Sequence, residues 1–158
     1  MTTIRIAKRS EKEIVQNIDQ FYLYEFSKFM PDYYKLGNDG LFHDEDYLRY
    51  WEDDNKFPYI IEEQGEIAGF ALVSGTSSAF VLDQFFVLLK FQGLGIAHSA
   101  ATKIFDQHRG DWRVHSLITN AKSERFWPKV IRAYTVNQFA IAIQEPKNTH
   151  HVYRFSNW

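Results

Sequence analysis

The chain has 158 residues, a formal net charge of −2 and no Cys; 45% of it is hydrophobic and 24% charged, which excludes a disordered chain, disulfides, thiolate catalysis and zinc–thiolate sites. That charge offers no global attraction to nucleic acid or anionic lipid, no apolar run is long enough to span a bilayer, and Met1 to Ser10 lacks the apolar centre of a signal peptide. One domain over residues 1–158 is expected, cytoplasmic, with no nucleic-acid or membrane partner.

Thr3 to Ala7, with Ile4 and Ile6 on one face, predicts a first strand. Ser10 and Glu13 form an S-x-x-E capping-box pattern ahead of Ile14, Ile18, Phe21 and Tyr22 at helical spacing, which predicts a helix. Beyond Met30-Pro31 the chain is irregular, aromatic and acidic, and a second short helix is expected from about Asp44 to Trp51. Phe57 to Glu62 and Glu66 to Val73 read as strands joined by the turn Glu63-Gln64-Gly65, and Ala79 to Leu88 as a third. The next helix carries Ala97, Ala100, Ala101, Ile104 and Phe105 on its apolar face and ends at Gly110-Asp111. Trp112 to Ile118 is an expected strand and Asn120 to Ile131 an expected helix; Gln138 to Ile143 with His151 to Phe155 closes the sheet. Strands that arrive as a meander and then alternate with helices predict a mixed sheet with helices on its faces.

Phe85 to Ala97 reads as an apolar strand, a glycine loop and the first turn of a helix. Gly93 and Gly95 let the backbone turn tightly, so that N–H groups point into one concavity, and the helix start adds donors and the positive end of a dipole. That order suits a phosphate-bearing ligand, and it equally suits a plain strand-to-helix turn. A dinucleotide fingerprint needs a small residue where His98 stands, and a Walker A loop needs Gly-Lys-Ser/Thr where the chain has Gly95-Ile96-Ala97. Neither signature fits.

Gln92-Gly93-Leu94-Gly95-Ile96-Ala97 matches the pattern Q/R-x-x-G-x-G/A, preceded by a strand ending Phe86-Val87-Leu88. A further strand is followed by Asn120, Ser123, Phe126 and Trp127 at the spacing of N-x-x-A-x-x-x-Y. On these motifs the chain resembles, over nearly its whole length, the GNAT superfamily of N-acetyltransferases. It is most similar to small predicted acetyltransferases with a Gly-Phe-Ala-Leu-Val strand, here Gly69 to Val73, a Phe-Phe-Val strand and an Asn followed by Phe-Trp. The resemblance implies a single-domain α/β (α+β) fold with a mixed, mostly antiparallel sheet of about six to seven strands and about four flanking helices.

It also implies acetyl-CoA as co-substrate. Backbone N–H groups of Gln92, Gly93, Leu94, Gly95, Ile96 and Ala97 would hold the pyrophosphate, with the Gln92 side chain lending a further donor. Phe86, Val87 and Leu88 would lie along the pantetheine arm as though it were an added strand, and the Leu88 N–H would polarise the thioester carbonyl. Asn120 would contact the pantetheine or cap its own helix; Phe126 and Trp127 would wall the cofactor or fill the core. No His, Asp or Glu spacing makes a metal site.

The implied chemistry is direct attack by a primary amine, which needs a base to take its proton. Related sequences often place Glu three residues ahead of the Val, but this chain has Gln84 there, with Asp83 beside it on the opposite strand face. Where the family frequently has a tyrosine acid stands Trp127, so Tyr134 is the candidate donor to the leaving thiolate. His43 and Glu25 are further candidate bases, and His98 reads as a solvated residue of the cofactor helix. Asp39, Asp44, Glu45, Asp46, Glu52, Asp53 and Asp54, interleaved with aromatics, suit a cationic small-molecule or peptide amine, and equally an ordinary solvated acidic face. An acyl-CoA-binding module without turnover, and a nucleotide-binding or structural domain, are the rival classes. Sheet-edge homodimers are common in the superfamily.

Overall fold

The computed structural model describes residues 1–43 and 49–158. Its strands are β1 (Thr2–Ile6), β2 (Lys56–Glu63), β3 (Glu66–Gly75), β4 (Ala79–Val87), β5 (Asp111–Leu117), β6 (Ala140–Ile143) and β7 (His150–Ser156). They form one sheet in the order β1-β2-β3-β4-β5-β7-β6. Every neighbouring pair is antiparallel except β4 with β5, which run parallel. Among the described residues three α-helices accompany the sheet, against the four or so expected: α1 (Lys12–Ser27), α2 (Ile96–Gln107) and α3 (Ala121–Thr135). The expected helix from Asp44 to Trp51 falls mostly outside the described residues, and its end, residues 49–51, forms a single 3-10 turn.

The helices cover the sheet unequally. On one face Ala101, Ile104 and Phe105 of α2 and Trp127, Val130 and Ile131 of α3 pack on Phe80, Leu82, Trp112, Val114, Tyr153 and Phe155. On the other, Val15 and Ile18 of α1 cover Ile60, Phe70, Leu72 and Phe86, so this cover reaches only β2 to β4. The α2 face matches the one predicted by its periodicity. The α1 face is rotated from the predicted one: Val15, Ile18 and Leu23 are buried, while Ile14 and Phe21 are exposed. The expected Ser10–Glu13 capping box is also absent, because a 3-10 turn over Arg9–Glu11 starts the helical path earlier. Glu11 there accepts from the Lys8 N–H at 2.8 Å and from Arg5 Nη1 at 2.8 Å.

His108, at the C-terminus of α2, is wedged between Phe57 and Phe80, with ring centroids 4.5 and 4.7 Å away. Its Nε2 lies 2.8 Å from the Tyr59 hydroxyl, whose pKa burial pushes up to about 12, so the phenol donates and the neutral imidazole accepts. Burial holds His108 below its ordinary value, and His115 and His150 likewise. The unfolded chain therefore takes up protons at a higher pH than the folded one. Stability is complete above the ordinary imidazole pKa, about 6.5, and is lost as the pH falls through the folded values. Thermal melts should show Tm declining from pH 7 to pH 5, and a His108→Gln variant should show a shallower decline. A Tm flat across this range would contradict the assignment.

Candidate active site

The parallel ladder between β4 and β5 runs from Ala79 opposite Asp111 to Leu82 opposite Val114 and stops, although β4 continues to Val87 and β5 to Leu117. A bulge explains the break. Val73 of β3 faces Leu82 while the preceding Leu72 faces Gln84, so Asp83 is an extra residue on β4. An extra residue bends and twists its strand. Beyond it β4 stays with β3, β5 stays with β7, and a wedge opens between them.

Backbone direction within the wedge follows from two contacts. The Leu88 N–H donates to the Ala68 carbonyl at 2.8 Å, and a Cβ on Gly69 would lie 2.0 Å from the Phe86 carbonyl oxygen, so Phe86 and Leu88 address β3. In an antiparallel ladder successive residues address opposite sides, which turns Phe85 and Val87 toward the wedge. The expectation for Leu88 is thereby corrected: its N–H is already engaged by β3, and the N–H groups facing the opening are those of Phe85 and Val87.

Past a 3-10 turn over Leu89–Phe91 the chain enters the glycine loop. Gly93 has φ +76° and Gly95, the N-cap of α2, has φ +79°, and a Cβ at either would meet nothing within 4 Å, so these positions select glycine by backbone conformation alone. No side chain caps α2. Among the described residues the N–H groups of Gly93, Leu94, Gly95, Ile96 and Ala97 have no backbone acceptor, which leaves a row of donors at the positive end of the helix. The Leu94 side chain is exposed and Ile96 is buried. The Gln92 side chain does not join that row: its Nε2 donates to the Val87 carbonyl at 2.8 Å and its Oε1 accepts from Lys122 Nζ on α3. Gly95→Ala would force a Cβ into the left-handed region, at about 1–2 kcal/mol. It should lower Tm slightly and weaken acetyl-CoA binding several-fold in a calorimetric titration.

Across the wedge, Asn120 caps α3, its Oδ1 accepting from the Ser123 N–H at 3.2 Å, and Ser123 joins the buried Ser116 of β5 at 3.0 Å between hydroxyls. Phe126 and Trp127 meet Phe85 of β4 at centroid distances of 6.1 and 5.2 Å. They line the α3 side of the opening, with Trp127 buried.

On the opposite, α1-side face stands Asp83. Tyr50, packed with Phe70 and Phe86 under α1, donates its hydroxyl to Asp83 Oδ2 at 2.6 Å. The bulge puts Asp83 and Gln84 on this same face, not on opposite faces. His115 of β5 shares it, since Trp112 and Val114 alternate into the other face. Burial, the largest cause, lowers the His115 pKa; His150, Arg113 and Arg154 add to this, and Asp83 opposes it. His115 was not anticipated from the sequence. Strand alternation signals its face, but its approach to Asp83 depends on the bulge.

The remaining candidates lie apart. Tyr134 is at the far end of α3, about 20 Å from Asn120 at the helical rise, where it donates to Asp106 Oδ1 at 2.8 Å and accepts from Asn157 Nδ2 at 3.1 Å. His43 is exposed and paired with Asp39 at 2.9 Å, Glu25 is exposed on α1, and His98 is exposed on α2. Of the acidic cluster Asp39 is the partner of His43, and residues 52–54 lead into β2 beside the β3–β4 hairpin, where the Asn55 carbonyl accepts from the Gly75 N–H at 2.9 Å. That is the end of β4 remote from Val87.

A parallel strand pair opened by a bulge, with strand N–H groups turned into the opening and an uncapped glycine-led helix at its end, has the shape and the donors that suit an extended ligand ending in phosphate. Residues 22–131 match the family model of the acetyltransferase (GNAT) family, and the chain belongs to that family. It is an acetyl-CoA-dependent acetyltransferase. The fold is similar to that of the ribosomal-protein-S18-alanine N-acetyltransferase of Escherichia coli, with TM-score 0.64 and 11% identity over 98% of this chain and 91% of that one. An acetyltransferase of Thermus thermophilus gives TM-score 0.66 and 15% identity over 99% and 97% of the two chains. The PaiA N-acetyltransferase of Thermoplasma acidophilum, determined in complex with coenzyme A, gives 0.64 and 10% over 99% of each. No individual curated protein sequence matches the chain.

Proposed function

We propose that this acetyltransferase moves the acetyl group of acetyl-CoA onto a primary amine by direct attack in the wedge between β4 and β5. The observation that carries the reading is the pairing of an opened strand edge with Asp83, fixed by Tyr50, at the point of opening. The donor's pantetheine arm lies along Phe85 to Val87 as an added strand. Its pyrophosphate meets the N–H groups of Gly93 to Ala97, and the Asn120 side-chain amide borders the arm.

In this orientation the thioester, at the end of the arm remote from the pyrophosphate, places its oxygen at the Phe85 N–H, which stabilises the oxyanion as it forms, while the Val87 N–H meets the arm nearer the loop. The amine arrives from the α1-side face, where Asp83 and His115 stand. Its nitrogen bonds to the carbonyl carbon, the C–S bond then breaks, and the excess proton passes to the Asp83–His115 pair directly or through water. A lowered pKa keeps His115 neutral and able to accept it. The thiolate can leave without a dedicated acid, since a thiolate is a far weaker base than an alkoxide and departs unprotonated. This removes the need for the tyrosine that Trp127 replaces.

Two measurements test the proposal. Acetyl-CoA at about a hundred times its Kd should stabilise the native state by about 2.7 kcal/mol, read as a rise in Tm. Thiol release with a panel of primary amines should then identify turnover. A Tm unmoved by saturating acetyl-CoA would sink the donor assignment, and a rise in Tm without thiol release from any amine would sink the transfer step.

A further inference from the structure

The half of the α1-side face that α1 leaves bare holds a cavity of about 350 Å³, lined by Arg113 and His115 of β5, Val152 and Arg154 of β7, and Gln144 and Glu145 beyond β6, among others. Its size suits a metabolite-sized ligand. Arg113 and Arg154 are directly opposite one another across the antiparallel β5–β7 ladder. Like charges in that relation repel and destabilise a sheet. Among the described residues neither arginine forms an ion pair; Glu145, the acidic residue in the same cavity, reaches neither. Both arginines are exposed, and two on one sheet face, lining one cavity with no counter-charge among the described residues, make a site that suits an anion, since the planar fork of Arg matches carboxylate or phosphate oxygens.

The position of this pair gives it meaning. Arg113 lies two residues before His115 on β5, about 7 Å along the strand, and His115 stands across the wedge from Asp83. An anion held by the arginines therefore sits one small-molecule length from the point where the amine must attack. We infer that the acceptor is an amine that also carries an anionic group, carboxylate or phosphate, and that Arg113 and Arg154 bind that group while the amine reaches Asp83. This rests on the acetyl-transfer reading above and narrows its substrate; it runs against a purely cationic acceptor.

The test compares matched acceptors that differ in the anion: L-alanine with L-alaninamide, and O-phosphoethanolamine with ethanolamine. Thiol release should give a kcat/KM at least about tenfold higher for the anionic member of one pair, corresponding to about 1.4 kcal/mol, and the pair that shows it tells carboxylate from phosphate. In Arg113→Gln and Arg154→Gln, whose folding is checked by Tm and by its rise with acetyl-CoA, that ratio should fall about tenfold or more. An equal kcat/KM within both pairs, or a ratio unchanged in both variants, would overturn the inference while leaving acetyl transfer standing. If no amine is turned over, the transfer reading fails by itself, and titration with inorganic phosphate decides the subsite: His115 ring signals in NMR should move in the parent protein and stay still in Arg154→Gln. Signals unmoved in the parent protein would dispose of it.

Discussion

Asp83→Asn should lower kcat for acetyl transfer by about a hundredfold or more, the scale of a lost proton acceptor, with the Tm rise on acetyl-CoA retained. The substitution keeps the shape of the side chain and a partner for the Tyr50 hydroxyl, now 2.6 Å from Oδ2, so the bulge has no reason to collapse. A second readout separates loss of chemistry from loss of structure. The Asp83 charge holds the His115 pKa up against burial; without it His115 titrates lower, and the acidic limb of the kcat/KM profile should move to lower pH. An unaltered kcat would show that the proton leaves by another route. A limb moving upward would show that Asp83 and His115 are not electrostatically coupled in the working enzyme.

Gly69→Ala should be the most damaging small substitution in the sheet. The added Cβ would lie 2.0 Å from the Phe86 carbonyl oxygen and 3.0 Å from Val87 Cα, so backbone rather than a pliable side chain must give way. Overpacking of this kind costs about 1–3 kcal/mol, or roughly 2–10 °C in Tm for a chain of this length. The displaced segment is the one that faces the wedge. Activity at temperatures far below Tm should therefore fall about tenfold as the Phe85 and Val87 N–H groups leave their places. Gly65→Ala is the control: it has a positive φ, +82°, but nothing stands within 4 Å, so Tm should fall with kcat intact. Equal kcat values in the two variants would separate Gly69 from the positioning of β4.

The sequence makes the glycine loop, the β2–β3 hairpin and α2 readable for one reason: each is a local pattern. The turn residues Gln64 and Gly65 both have positive φ, and the apolar spacing of α2 coincides with its buried face. What escapes reading depends on pairing between distant residues. The bulge at Asp83 exists only in relation to β3, and it decides that Asp83 and Gln84 share a face, that β5 departs, and that Val87 rather than Leu88 turns inward. The α1 face fails for a related reason, since aromatic and aliphatic residues nearly encircle that helix and burial picks Val15 and Leu23 over Ile14 and Phe21. Tyr134 is near Trp127 in number, yet two helical turns separate it from the opening, and Asp106 and Asn157 hold it there.

The sheet is in effect two leaves sewn together along a short seam, Ala79–Leu82 against Asp111–Val114. Above the seam each leaf is paired with a strand on its outer side and with none on its inner side. An arm lying between them would supply the cross-links that the strands withhold from each other, so occupancy stiffens a line through the middle of the molecule rather than one wall of a pocket. Amide hydrogen exchange should register that stiffening on both leaves at once, with Phe85 and Val87 slowing together with His115 and Leu117 when acetyl-CoA is bound.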